Sequence, residues 1–335
     1  MKNFIKIITL LLLLTFTFKA ISEEVNLYSA RKEHLIKPLT DKFTKKTGIK
    51  VNIITAKAPQ LHQRIMREGK NSQADVLLTT DAGNLWKASN ENLFQEINSN
   101  FLINRVPKKF RDINNEWFGL SLRARIIVYS LDRVSLDELR GYRYLSDPVF
   151  KNRILIRSSS NIYNQSLIAH MISKYGVDAT EVWALGLVKN FSREPAGGDR
   201  DQIKGVAAGE GDIAVVNSYY IAKILNSDNK SLFDKLGIYF PSDETMGVHL
   251  NISGAGVLKH SPNSVNAIKF IEFLVSDEAQ LIYANTNYEY PVVSEMEISY
   301  LLQSFGKYIE DNVLISEYGR LGSEAIKLAD RVGWK

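Results

Sequence analysis

The chain has 335 residues, 45% of them hydrophobic, a formal net charge of +5 and no cysteine. That length suggests two domains, and the lack of cysteine excludes disulfides, thiolate metal sites and a cysteine nucleophile. The basic residues form no dense stripe interleaved with aromatics, so nucleic acid is not an expected partner.

At the N-terminus, Lys2 and Lys6 precede an apolar run that begins at Ile7, and Ala20 and Ser22 place small residues where a signal peptidase reads. The pattern predicts a signal peptide over 1–22, cleaved after Ser22, because the apolar run is too short to span a membrane comfortably. Cleavage removes Lys2, Lys6 and Lys19 and no acid, taking the charge from +5 to +2. No cysteine follows the cleavage point, so no lipid anchor is expected there. A soluble exported protein without an anchor needs an outer membrane to retain it, which points to the periplasm.

The mature chain opens with a strand at 25–28. A helix follows with Leu35, Leu39 and Phe43 on one face, Pro38 in its first turn and Gly48 as its stop. A strand at 50–54, a helix at 58–68 and a nearly all-apolar strand at 74–79 come next. Strands apolar on both faces and alternating with helices predict parallel sheet covered by helices. The segment 117–130, WFGLSLRARIIVYS, is one long extended run without helical period. A second α/β set follows, with strands at 153–157 and 212–216 and helices at 165–174, 179–189 and 201–208. A further extended run covers 247–257, and helices at 263–275 and 278–285 precede a helical tail. Two long extended runs bracketing an inserted α/β unit predict two strands that cross between domains and form a hinge.

The chemistry-bearing residues are tyrosines. Tyr28 ends one strand, Tyr163 follows another in RSSSNIYN (157–164), and Tyr219 and Tyr220 follow the strand DIAVVN (212–217) at a helix start. Ligands of open α/β domains bind at the carboxyl ends of strands, so one interdomain cleft is within reach of all four. Phenolate oxygen is a hard anionic donor suited to a hard, highly charged cation, Fe(III) above the others. A single tyrosine after a strand is usually a packing residue with a bonded hydroxyl, and it is their common placement that raises the ligand reading. Arg123 and Arg125 alternate on one strand face, where a guanidinium holds an anion if that face is the cleft. GGDRDQ (197–202) lacks the lysine and spacing of a Walker A motif and reads as a helix entry with an Asp cap. The five histidines show no HxxxH or HExxH spacing, and only His34 lies close in sequence to Tyr28. No Gly-x-Ser-x-Gly elbow occurs, and no acid/base pair argues for an enzyme.

Together the strings VNLYSARK (25–32), LIKPL (35–39), TGIKV (47–51), ADVLLT (74–79), WFGLSLRAR (117–125), RSSSNIYN, GGDRDQ, NSYY (217–220), NISG (251–254) and YEYP (288–291) resemble the periplasmic ferric-iron-binding proteins. These are the substrate-binding components of iron(III) ABC transporters. The resemblance runs through the whole mature chain in order. It implies an α/β, bilobed periplasmic substrate-binding fold of type II, with transferrin-like lobes and a two-strand hinge. The expected lobes are 23–119 plus 251–293 and 120–250 plus 294–335. The family's metal ligands fall on Tyr163, Tyr219 and Tyr220, with Tyr28 as the N-terminal-lobe ligand. Arg123 falls on its anion-holding arginine and Arg31 on a second cleft arginine. The implied cargo is Fe(III), with a synergistic anion such as carbonate. The implied partner is an inner-membrane ABC permease, with the protein acting as a monomer. Where other members place a histidine in the N-terminal lobe, this chain offers none beside Tyr28, and His34 lies six residues further on. A small anion or organic cation as cargo, and an enzyme on a related scaffold, stay open on the residues alone.

Overall fold

The computed structural model describes residues 23–294, 296 and 298–335; the predicted signal peptide lies outside the described residues. Strand β1 (Glu24–Ser29) pairs in parallel with β2 (Lys50–Thr55) and β3 (Val76–Thr80). Helices α1 (Glu33–Thr47) and α2 (Ala58–Glu68) make the connections. Their apolar residues recur at helical spacing, and Leu39 and Phe43 of α1 and Leu61 and Ile65 of α2 are buried. Helix α1 starts earlier than the expected first turn at Pro38, so this proline lies inside the helix. It supplies no donor to the turn before it.

Helix α3 (Ala82–Asn90) follows β3, and α4 (Asn100–Arg105) leads toward β4 (Trp117–Ser130). All fourteen residues of β4 are buried. Its first half, through Ala124, runs antiparallel to β8 (Leu250–Val257), which itself pairs with β3. From Arg125 to Tyr129 it pairs instead with β6 (Ile213–Asn217). Strand β6 takes β5 (Ile154–Leu155) as its parallel neighbour, while β7 (Leu236–Tyr239) and β9 (Tyr290–Pro291) add to β4. One strand therefore belongs to both halves of a mixed nine-stranded sheet. Gly254 permits the close approach of β8 to β4, since a Cβ there would sit 2.8 Å from the Phe118 carbonyl oxygen.

Helices α5 (Ile162–Tyr175), α6 (Val177–Lys189), α7 (Asp199–Ala208) and α8 (Tyr219–Leu225) cover the second half. Helices α9 (Ser264–Leu274) and α10 (Asp277–Ile282) return to the first half. Helix α11 (Tyr300–Ser304) leads to α12 (Glu317–Arg320) and α13 (Gly322–Arg331), and α12 packs on both α3 and α5. The expected strand at 153–157 pairs only at Ile154 and Leu155, because the chain then turns outward to reach α5. The extended run at 247–257 is regular strand from Leu250, and Val248 makes a bridge to Glu310. The expected helix at 278–285 ends at Ile282 and widens into a π turn at Tyr283–Asn287, with Tyr288 left-handed at φ 59°.

Candidate functional site

Three tyrosines reach one cleft because each lies in the first turn of a helix that follows a strand of the second half. Asn161 caps α5, its side chain accepting from the Tyr163 amide (3.1 Å), which sets Tyr163 in the first turn. Ser218 joins β6 to α8, and its amide donates to the Ala124 carbonyl of β4 (2.9 Å), so Tyr219 and Tyr220 start from a fixed point. Beneath them, Asp199 accepts from the Asn217 amide (2.8 Å) and pairs with Arg125 (3.0 Å) and Arg157 (3.0 Å). From the tail, the Trp334 indole donates to the Arg157 carbonyl (3.1 Å), bracing the loop that leads to α5.

The cleft encloses about 340 Å³. Tyr163, Arg200, Tyr219, Tyr220 and Lys223 line it from one half of the molecule. Arg31, Lys32, His34, Thr80 and Glu289 line it from the other, with buried Arg123 between them. The Tyr219 and Tyr220 ring centroids are 4.2 Å apart, and the Arg123 guanidinium stands 5.5 Å from the Tyr163 ring centroid. Burial first, and then Tyr163, Tyr220 and Asp199, hold the Tyr219 phenol well above its ordinary pKa, against the opposing pull of Arg123. Burial, Asp199 and Tyr163 raise Tyr220 as well.

Arg123 donates to the Ile252 carbonyl and to Ser253 Oγ (3.1 Å), while its buried Nε has no acceptor among the described residues. A buried unsatisfied donor on a cation suits an incoming anion. Arg31 is already committed. It forms a bidentate pair with Glu289 (2.9 and 3.0 Å) and also donates to Ser253 Oγ (2.7 Å). Arg31, Arg123 and the Ser121 hydroxyl keep the Glu289 carboxyl below the usual carboxylate range despite its burial. Glu289 is thus ionised but has both oxygens engaged.

Of the expected site residues, the structure brings Tyr163, Tyr219, Tyr220, Arg123 and Arg31 together. His34 reaches the rim as an exposed side chain. Tyr28 does not join them, which corrects the placement expected from its strand. Its hydroxyl donates to Glu68 of α2 (3.2 Å) and Arg64 lies 4.9 Å from its ring centroid. The reason is register. Tyr28 pairs within β1, opposite Ile54 and Leu77, so the strand has not yet ended. Arg125, on the same strand face as Arg123, goes beneath the cleft to Asp199 and Asn164 rather than into it.

Lys32, Arg200, Lys223 and Glu289 were not singled out by sequence. Lys223 sits four residues after Tyr219 on one helix face, a spacing that would have found it. Glu289 meets Arg31 across 258 positions, for which no local signal exists. Among the described residues no group of three His, Asp or Glu side chains is placed to hold a metal.

A bilobed sheet with converging polar side chains between its halves defines a solute-binding protein. The model of the bacterial extracellular solute-binding proteins matches residues 71–302. The chain belongs to this family, in its periplasmic ferric-iron-binding branch, which comprises binding proteins and not enzymes. It is 44% identical over 316 residues to iron uptake protein A1 of Synechocystis sp., spanning 93% of this chain and 88% of that protein. It is 28% identical to the major ferric iron-binding protein of Neisseria meningitidis over the full length of both. Among solved structures, a Trichodesmium protein in complex with iron and citrate superposes with a TM-score of 0.90 at 49% identity, covering 93% of this chain and all of that one. The Mannheimia haemolytica ferric iron-binding protein A, in an open conformation, gives 0.88 at 43% identity, covering 93% and 99%.

Proposed function

We propose that this chain binds Fe(III) through the phenolates of Tyr163, Tyr219 and Tyr220, with an anion such as carbonate held against the metal by Arg123. The protein works in the periplasm and delivers its iron to an inner-membrane ABC permease. The observation that carries the reading is the convergence of three phenols in a cleft whose one carboxylate among the described residues, Glu289, is engaged by Arg31. Three phenolates balance the charge of Fe(III) and leave coordination positions open. Arg31, Lys32, Arg123, Arg200 and Lys223 then give the cleft a surplus of positive charge that a co-bound anion offsets. Strand β4, shared by both halves, and β8 beside it act as the hinge by which the lobes approach the loaded site.

The test is a titration of the iron-free protein with ferric iron in bicarbonate, followed by visible absorbance across pH. A phenolate-to-iron charge-transfer band is expected. Affinity should fall as pH falls, because phenols that start protonated release up to about three protons per iron. A colourless product, or an affinity indifferent to pH, would refute the assignment.

A further inference from the structure

The Asp cap expected in GGDRDQ (197–202) is Asp201, which accepts from the Gly198 amide (2.7 Å). Asp199, the first residue of α7, is therefore free to turn inward, and it is 1% exposed. Its two oxygens take different partners. Oδ2 accepts from the Asn217 amide (2.8 Å) and the Arg125 guanidinium (3.0 Å), and Oδ1 from the Arg157 guanidinium (3.0 Å). Asn217 ends β6 two residues before Tyr219. Arg157 precedes α5, and its guanidinium stands 5.6 Å from the Tyr163 ring centroid. Arg125 and Arg157 both reach Asn164, the neighbour of Tyr163. Asn164 accepts from Arg125 (2.7 Å) and donates to the Arg157 carbonyl (2.8 Å).

A buried carboxylate that holds two guanidinia and a backbone amide is confined to one position, because releasing any of those donors leaves it unpaired away from water. The same strand carries a comparable bridge at its other end. Asp212 joins Arg133 (2.7 Å) and Arg153 (2.6 Å) just before Ile213, the first residue of β6. Two-arginine bridges thus brace both ends of β6, but only the end with Asp199 leads into Tyr219 and Tyr220.

We propose that Asp199 is a positioning residue for the metal site. By holding Asn217 on one oxygen and Arg157 on the other, it fixes where Tyr163 stands relative to Tyr219 and Tyr220 before a metal arrives. This rests on the phenolate reading of the cleft and adds what sets the geometry of its ligands. A binding constellation works when its side chains are held to within about 0.5 Å by the groups behind them. Two helix starts tied to one carboxylate keep their spacing; untied, each relaxes by itself and binding must then order both. Asp199→Asn keeps the shape of the side chain but has a single acceptor oxygen. It can hold one segment only, and it turns an amide nitrogen toward the donors of the other.

The experiment compares the full chain with Asp199→Asn, Arg157→Gln and Asp212→Asn. Hydrogen exchange is followed on each iron-free protein. Each is then titrated with ferric iron in bicarbonate against a competing chelator, with visible absorbance recorded. Asp199→Asn should exchange faster at the amides of 162–165 and 217–220, displace the charge-transfer band, and lower iron affinity by about 10–100-fold, as outer-shell changes do. Arg157→Gln cuts only the Oδ1 limb, so it should loosen 162–165, leave 217–220 protected and lose less affinity. Its result decides the question if Asp199→Asn does not fold. Asp212→Asn should melt earlier yet keep the wild-type band and affinity. A folded Asp199→Asn with the wild-type band and affinity would overturn the proposal, as would equal losses of affinity in Asp212→Asn. So would unchanged exchange at both segments of Asp199→Asn, whatever the metal does. A wild type with no band would instead overturn the iron reading, and the exchange of the iron-free proteins would still report whether Asp199 joins the two segments.

Discussion

The Tyr219 phenol must surrender its proton to bind a metal, and burial, two neighbouring phenols and Asp199 all resist that loss. Only a large local charge reverses the balance, and a trivalent ion supplies it. If these phenols bind metal as proposed, the site selects through its own reluctance, since a weakly charged cation does not displace these protons. On the proposed reading, removing a hydroxyl removes a direct ligand. Since outer-shell changes already cost 10–100-fold, Tyr163→Phe, Tyr219→Phe and Tyr220→Phe are each expected to lower iron affinity by about 100-fold or more in a competition titration against a chelator. Tyr28→Phe should leave iron affinity at the wild-type level and cost about 1 kcal/mol of stability through the lost Glu68 bond, read by thermal melting. Equal losses at all four positions would contradict this division. The contrast also shows what was legible at this scale. A tyrosine near the end of an apolar strand was readable, but whether it lay before or after the last paired residue was not. Tyr219 follows the final residue of β6 by two positions, while Tyr28 lies inside β1, and only the pairing register separates the cases.

Between elements, Asp81 ties β3, α3, α5 and β8 together. It is fully buried, carries a left-handed φ of 89°, and accepts from the Gly83 amide (2.8 Å), the Ser166 hydroxyl (2.8 Å) and the Asn251 amide nitrogen (2.7 Å). Burial nonetheless outweighs these donors and pushes its carboxyl up from 3.8 to about 6. A pKa raised on folding favours the protonated native state, so this contribution is present below 3.8 and is lost as pH rises through about 6. The gap amounts to up to about 3 kcal/mol. Asn tolerates positive φ, so Asp81→Asn removes the titration with little change of backbone. Chemical denaturation across pH 4–7 should show the difference between variant and wild type moving in the variant's favour as pH rises; a pH-independent difference would contradict the account. Helix and strand identities at this scale were largely readable from apolar period, as in α2 and β3. The partner change of β4 at Ala124 and Arg125 was readable only as an unusually long extended run. Its pairing depends on β6 and β8, about 90 and 130 positions away by the same register.

At the scale of the whole molecule, the two halves contribute unequally. One half supplies three phenols with Arg200 and Lys223, and the other supplies Arg31, Lys32 and an engaged carboxylate. Sequence made the phenol half legible because Tyr163, Tyr219 and Tyr220 carry local strand–helix signals. The other half was only partly so: Arg31 was named, but its pairing with Glu289 follows from the return of the chain after α10. If the phenols bind the metal as proposed, a site whose uncommitted anionic ligands all come from one half needs an exogenous anion to complete the metal sphere and to offset the surrounding cations. The most direct test is a crystal structure of the iron-loaded protein prepared in bicarbonate, with the metal placed by anomalous scattering. The expected result is iron on the hydroxyl oxygens of Tyr163, Tyr219 and Tyr220, an anion between the metal and Arg123, and Tyr28 still on Glu68. Iron bound by Tyr28 or His34, or iron outside this cleft, would contradict it.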